Sequence, residues 1–165
     1  MWGITFEHTY PNASIRAITI TGDNITGLFC IHSLTSLDIR KNTELTNLRL
    51  SNSQLTSLDV SKNTALTSLY VQGQLTSLDV SKNTALTSLS VGDSPLKSLD
   101  VSKNTALTIL NVQCQLTSSA LNALFGTLHS NAGEKTIYIA VNPGVSDCDR
   151  SIAERKGWTV NDTRY

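Results

Sequence analysis

The stretch Leu55–Leu69, "LTSLDVSKNTALTSL", recurs letter for letter at Leu75–Leu89. Blocks that open "LTSLDI" or "LxSLDV" begin at Leu34, Leu55, Leu75 and Leu96, at spacings of 21, 20 and 21 residues. A period of this length belongs to a solenoid, in which each repeat is one turn stacked on its neighbours. Each block holds two half-units, such as "LTSLDVSKNTA" and "LTSLYVQGQ", and both place apolar residues at their first, fourth and sixth positions. A degenerate earlier block fits the same phase, with "IRAITITGDN" from Ile15 and "ITGLFCIHS" from Ile25. Five turns are therefore expected over residues 15–115.

One turn points six apolar side chains inward, for example Leu55, Leu58, Val60, Leu66, Leu69 and Val71. Their burial alone does not offset the conformational entropy of ordering a whole turn, so a lone turn unfolds and neighbours must cover its sides. The other constant letters also suit a scaffold. Asn42, Asn63, Asn83 and Asn104 each close an "LDV" half-unit, where an amide with two donors and an acceptor can satisfy turn backbone that no strand reaches. Stacked turns would make them a ladder. Asp38, Asp59, Asp79 and Asp100 recur with Lys41, Lys62, Lys82 and Lys103 three places on, and are read as a solvated charge ladder in which the lysines offset aspartate repulsion.

Composition narrows the function. The chain has 165 residues, 39% hydrophobic and 16% charged, enough for one soluble domain. Thirteen basic residues balance thirteen acidic ones, which argues against the basic stripe that nucleic acid or an anionic membrane requires. No apolar run is long enough to span a membrane. The start, "MWGITFEHTYPN", lacks the pattern of a signal peptide, so the chain is either cytosolic or separated from its export signal. His8, His32 and His129 are scattered, and no catalytic triad, carboxylate pair or phosphate loop stands out. No enzyme activity, cofactor or metal is expected. Cys30, beside His32, is read as a small apolar core residue.

The tail tells which half-unit faces which way. After Leu116 an "LDV" half is due, but "LTSSALNALFGTLHSN" puts Leu121, Leu124, Phe125 and Leu128 at helical spacing, with Ser118 or Ser119 as cap. "KTIYIAVNPG" then resumes the other half, with Ile137 and Ile139 in the places of Leu69 and Val71. A second helix is expected over "SDCDRSIAERKG", capped by Ser146 or Asp147 and stopped by Gly157, and "WTV" adds a last strand. Helices fit the wide side of a curved solenoid, so the "LDV" halves are read as convex and the "LYV" halves as a concave sheet. Residues 1–14 form an N-terminal flank and residues 116–165 a C-terminal α/β cap.

The convex halves repeat to the letter while the concave halves vary at their outward fifth and seventh positions. Those positions hold Phe29 and Ile31, Arg49 and Ser51, Tyr70 and Gln72, Ser90 and Gly92, Asn111 and Gln113, then Tyr138 and Ala140. Aromatic rings, arginine and amides suit recognition of a protein, and tyrosine with amides also suits sugars. The candidate binding residues are thus Phe29, Ile31, Arg49, Ser51, Tyr70, Gln72, Ser90, Asn111, Gln113 and Tyr138. A passive stalk is the alternative to a protein-binding or glycan-binding face. Cys114 and Cys148 follow successive strands of this sheet and are weighed as a disulfide, against strict geometric demands.

The pattern Leu-x-x-Leu-x-Leu-x-x-Asn, over about Ile15 to Gln115, resembles the leucine-rich repeat family. "LTSLDVSKNTALTSL" together with the tail "KTIYIAVNPGVSDCDRSIAERKGWTV" is similar to exported leucine-rich repeat proteins of gut-dwelling anaerobic bacteria. The resemblance implies an α/β solenoid: a right-handed superhelix with a parallel concave sheet, a mostly irregular convex side and a helical C-terminal cap. It also implies a module that binds protein or another macromolecule and has lost a secretion or lipoprotein signal, which puts it at the cell surface or in secreted form; a monomer is expected. "YVQGQ" and "NVQCQ" depart from the pattern by one residue and lack its terminal asparagine, which leaves the ladder open on that side.

Overall fold

Both half-units share the inward alternation, but the "LYV" halves become strands and the "LDV" halves do not: there the aspartate side chain takes the amide two places on and a turn follows at once. The computed structural model describes residues 24–31 and 33–163. Its strands are β1 (Gly27–Cys30), β2 (Asn47–Leu50), β3 (Ser68–Gln72), β4 (Ser88–Gly92), β5 (Ile109–Gln113), β6 (Lys135–Tyr138) and β7 (Trp158–Asn161). Helix α1 (Ser118–Thr127) lies between β5 and β6, and the single helical turn α2 (Ser151–Glu154) lies between β6 and β7. All strands join one parallel sheet in chain order. This is the α/β solenoid expected from the repeat. The N-terminal flank, the start of the opening turn, His8 and His32 lie outside the described residues.

The inward set is buried as the repeat dictates. In the third turn Leu55, Leu66, Leu69, Val60 and Val71 are essentially inaccessible, and Leu58 is nearly so. Side chains, rather than strands, join the other halves of the turns. Asn63 Nδ2 donates to the carbonyls of Ile39 and Asn42 at 2.9 and 2.8 Å. Asn83 does the same to Val60 and Asn63, and Asn104 to Val80 and Asn83, all within 3.0 Å. A second column runs beside the sheet. Thr46, Thr67, Thr87 and Thr108 each donate Oγ1 to the carbonyl of the equivalent threonine one turn earlier, at 3.0 to 3.2 Å.

The side left open by the missing asparagines has a mixed ladder of its own. Ser53 Oγ donates to Gln72 O, Ser94 Oγ to Gly73 O, and the Cys114 thiol to Val91 O. Asn142 ends the column: its amide nitrogen bonds the carbonyls of Val112 and Ile139, and its oxygen accepts from the backbone of Cys114 and Leu116. The 21- and 20-residue turns differ here. The longer turns pass through one left-handed residue, Asn52 at φ 54° or Asp93 at φ 50°, types that tolerate this region. The shorter turns omit it and bring Gly73 or Cys114 into the column. At Gly73 a Cβ would meet Ser53 Oγ at 2.3 Å, so that turn has room for glycine alone.

Two expectations are corrected. Helix α1 is capped by Thr117, not Ser118 or Ser119; Thr117 keeps an extended backbone and its Oγ1 accepts from Ala120 N at 3.3 Å. The second helix is one turn, not the whole of "SDCDRSIAERKG", and has no side-chain cap. The chain before it is tied to α1: a Cβ on Gly144 would lie 2.1 Å from Ser118 N, and Asp149 N donates to Asn122 Oδ1. The three cysteines are free thiols. The disulfide weighed between Cys114 and Cys148 is not formed: Cys114 Sγ bonds Val91 O in the turn before and Cys148 Sγ bonds Val145 O. Burial pushes the Cys114 thiol up to about 12.

The cap covers the last full turn. Phe125, Leu121, Leu124 and Trp158 are buried, and Lys156 Nζ bonds Leu128 O at the end of α1. His129 is part of this packing: its Nε2 meets Leu107 O at 2.7 Å, its Nδ1 accepts from Asn131 N, and its ring sits edge-on to Trp158. Removing residues 116–165 would expose Leu96, Leu99, Val101, Leu107, Leu110 and Val112 and leave the β5 edge unpaired. The fragment 1–115 is expected to aggregate. A soluble, monomeric fragment with cooperative unfolding, measured by sedimentation and circular dichroism, would show that residues 116–165 are not a cap.

Candidate functional site

The sheet register lines up the variable residues in rows. Phe29, Arg49, Tyr70, Ser90, Asn111, Tyr138 and Asn161 are consecutive partners across β1 to β7. Period-2 alternation puts them on the face opposite the buried Leu and Val. The seventh-position residues Gln72, Gly92 and Gln113 align beside them. A third row, Asn47, Ser68, Ser88, Ile109, Thr136 and Thr159, shares the same face. It was missed at the sequence level, although the same alternation, counted back two residues from Tyr70, points to it.

The two ends of the face differ. At the β1 end Phe29 is 66% exposed and Ile31, just past the strand, 60%. Next to them the Arg49 guanidinium carbon lies 4.5 Å from the centroid of the Tyr70 ring, a contact that holds a flexible cation over an aromatic face. Tyr70 OH donates to Gln72 Oε1 at 3.4 Å, and Gln72 Nε2 donates to the Asp93 carboxylate. Arg49, Tyr70, Gln72 and Asp93 thus form one continuous chain of contacts over three turns. Their order limits the entropy lost on binding a partner.

Toward β6 the face closes. Asn111 is only 7% exposed, with Gln113 Nε2 bonded to its Oδ1, and Ala140 is 4% exposed. Asn111 therefore serves the packing of the face and is not displayed as its row position suggests. Ser51, Ser90 and Tyr138 are half-buried. Among the described residues, no group of three His, Cys, Asp or Glu side chains is placed to hold a metal, and no helix is long and apolar enough to cross a membrane.

The opposite side carries the aspartate column, whose hydrogen bonds at Asp59, Asp79 and Asp100 come from serines while the lysines add a weaker attraction that offsets aspartate repulsion as expected. Among the described residues the ion pairs are Arg40 with Asp38 at 2.8 Å and Arg150 with Asp162 at 2.7 Å. Asp59, Asp79 and Asp100 instead accept from the backbone of Ser61, Ser81 and Ser102, two places on, at 3.0, 2.8 and 2.7 Å. A side chain this short reaches the turn amide at once, whereas a lysine would lose rotamer freedom in water for little gain. Hydrogen bonds from the serine hydroxyl and amide hold all three carboxyls below their usual range.

No family model and no curated protein matches the chain. Among solved structures it is similar to the functional domain of InlJ from Listeria monocytogenes, described as including a cysteine ladder, at 27% identity and a TM-score of 0.47. The match covers 80% of this chain and 38% of that one, so the chain spans well under half of its length.

Because the aspartates titrate lower in the folded chain than in the unfolded one, their contribution is present above the unfolded value near pH 4 and is lost as pH falls below it. The urea midpoint should hold between neutrality and about pH 5 and then drop toward about pH 3. Asn at positions 59, 79 and 100 should flatten that drop; an undiminished drop in the triple variant would show that these turns do not set the acid limit.

Proposed function

We propose that the chain is a non-enzymatic module that binds a protein through the β1–β3 end of its sheet face. The observation that carries this is the exposed Phe29 and Ile31 set beside Arg49 stacked on Tyr70. Exposed aromatic and aliphatic groups around an ordered arginine have the composition of an interface centre, where a few such residues dominate the binding energy. The serine-rich rows around them form a rim of small polar groups. The constant "LDV" halves act as scaffold, and the partner reads what varies. The module works at the cell surface or in secreted form, in keeping with the resemblance to exported bacterial repeat proteins.

A protein array probed with the intact chain supplies a partner. Arg49→Ala and Tyr70→Ala are each expected to cost about 2 kcal/mol, roughly 30-fold in Kd. Neither belongs to the inward set, so thermal unfolding should be almost unchanged. Lys62→Ala with Lys82→Ala, on the opposite side, should alter neither property. If the lysine pair abolished binding and the Arg49 and Tyr70 variants left it intact, the assignment of faces would be reversed.

A further inference from the structure

An open trough of about 520 Å³ runs along the rim of the sheet where the strands end. Its walls are Gln74, Gln113, Gln115 and Asp93, with Pro95 and the half-exposed Val141 as small apolar patches. The sequence builds it by alternation: the short turns "VQGQ" and "VQCQ" each supply a glutamine pair, and the longer turn between them supplies Asp93. The floor is already satisfied, since Ser94 Oγ bonds Gly73 O and Gly92 O and the Cys114 thiol bonds Val91 O. Unused capacity sits on the walls. The side-chain amides of Gln74 and Gln115 have no partner among the described residues, and Gln113 spends its amide nitrogen on Asn111 and keeps its oxygen. Gln72 Nε2 bonds the Asp93 carboxylate.

We propose that this trough binds a neutral saccharide. No lysine, arginine or histidine lines it, so a phosphate, sulfate or carboxylate ligand would find no counter-charge. No aromatic ring lines it either, and its apolar area is small, so a flat hydrophobic ligand has little to gain. Planar amides and a carboxylate, each able to meet two adjacent groups, match the neighbouring hydroxyls of a sugar ring, which donate and accept together. Val141 and Pro95 offer contact to its C–H face. The volume lies within the roughly 300–1,000 Å³ of small-molecule clefts. The trough shares Asp93 with the contact chain of the β1–β3 surface through Gln72, but Gln74, Gln113 and Gln115 belong to it alone, so Gln115→Ala and Arg49→Ala tell the two sites apart.

The test is titration of the intact, isotope-labelled chain with cellobiose, lactose and N,N′-diacetylchitobiose, followed through its glutamine side-chain amide resonances. At least one sugar should shift Gln74, Gln113 and Gln115. Asp93→Gly, which keeps the left-handed backbone, and Gln115→Ala should each weaken that binding tenfold or more with unchanged thermal unfolding, and Arg49→Ala should leave it unaltered. The proposal fails if none of the three sugars moves these amides, if binding survives both rim variants, or if Arg49→Ala abolishes it. Tighter binding of a sulfated disaccharide at the same resonances would also overturn it.

Discussion

Asn63, Asn83 and Asn104 each give both amide protons to the turn before, one to the carbonyl that ends the inward run and one to the carbonyl of the preceding asparagine. The "LDV" halves have no strand pairing, so these protons make the turn-to-turn bonds that a sheet ladder makes on the other side. Each of these carbonyls also accepts a backbone N–H within its own turn, so the asparagine supplies the second bond, the one that crosses to the next turn, at about 0.5–1.5 kcal/mol apiece. The asparagines are nearly inaccessible, which places the bonds where water cannot substitute for them. Neighbouring turns are thereby locked at one spacing, and the parallel sheet on the other side inherits its register from that lock.

A fixed spacing on one side allows variation on the other. The strand side tolerates a residue more or less per turn because Asn52 and Asp93 absorb the extra one in the left-handed region, while Gly73 and Cys114 close the shorter path. Val141 takes the same place at φ 59° although it is β-branched, a conformation that costs about 1–3 kcal/mol. Asn142 beside it makes four hydrogen bonds and holds the turn in that shape. The polar trough and the exposed β1–β3 surface both arise where the chain departs from strict repetition.

Much of this was legible in the letters. The period, the inward Leu and Val, the strand half and the replacement of an "LDV" half by α1 follow from spacing and alternation alone. What the letters hid were choices between residues of similar chemistry. "LTSS" offers three hydroxyls as caps, and only the backbone angle at Thr117 selects one. The lysines do offset the aspartate charges, but the letters did not show that Ser61, Ser81 and Ser102 supply the nearest contacts, because the turn amides sit there. At the site, Arg49 and Tyr70 were readable as outward residues, whereas their stacking depends on the register between β2 and β3. Asn111 had an outward position and is buried nonetheless, because neighbours on the same face cover what alternation exposes.

The asparagine lock is tested most directly by urea unfolding of Asn83→Ala beside Lys82→Ala, its exposed neighbour in the same turn. Asn83→Ala removes the side-chain donors that cross to Val60 O and Asn63 O, which keep their backbone donors Asn63 N and Leu66 N, and is expected to lose about 1–3 kcal/mol for the two bonds, against less than about 0.5 kcal/mol for the lysine variant. Equal, small losses in the two variants would contradict the claim that these side-chain bonds hold the turns together.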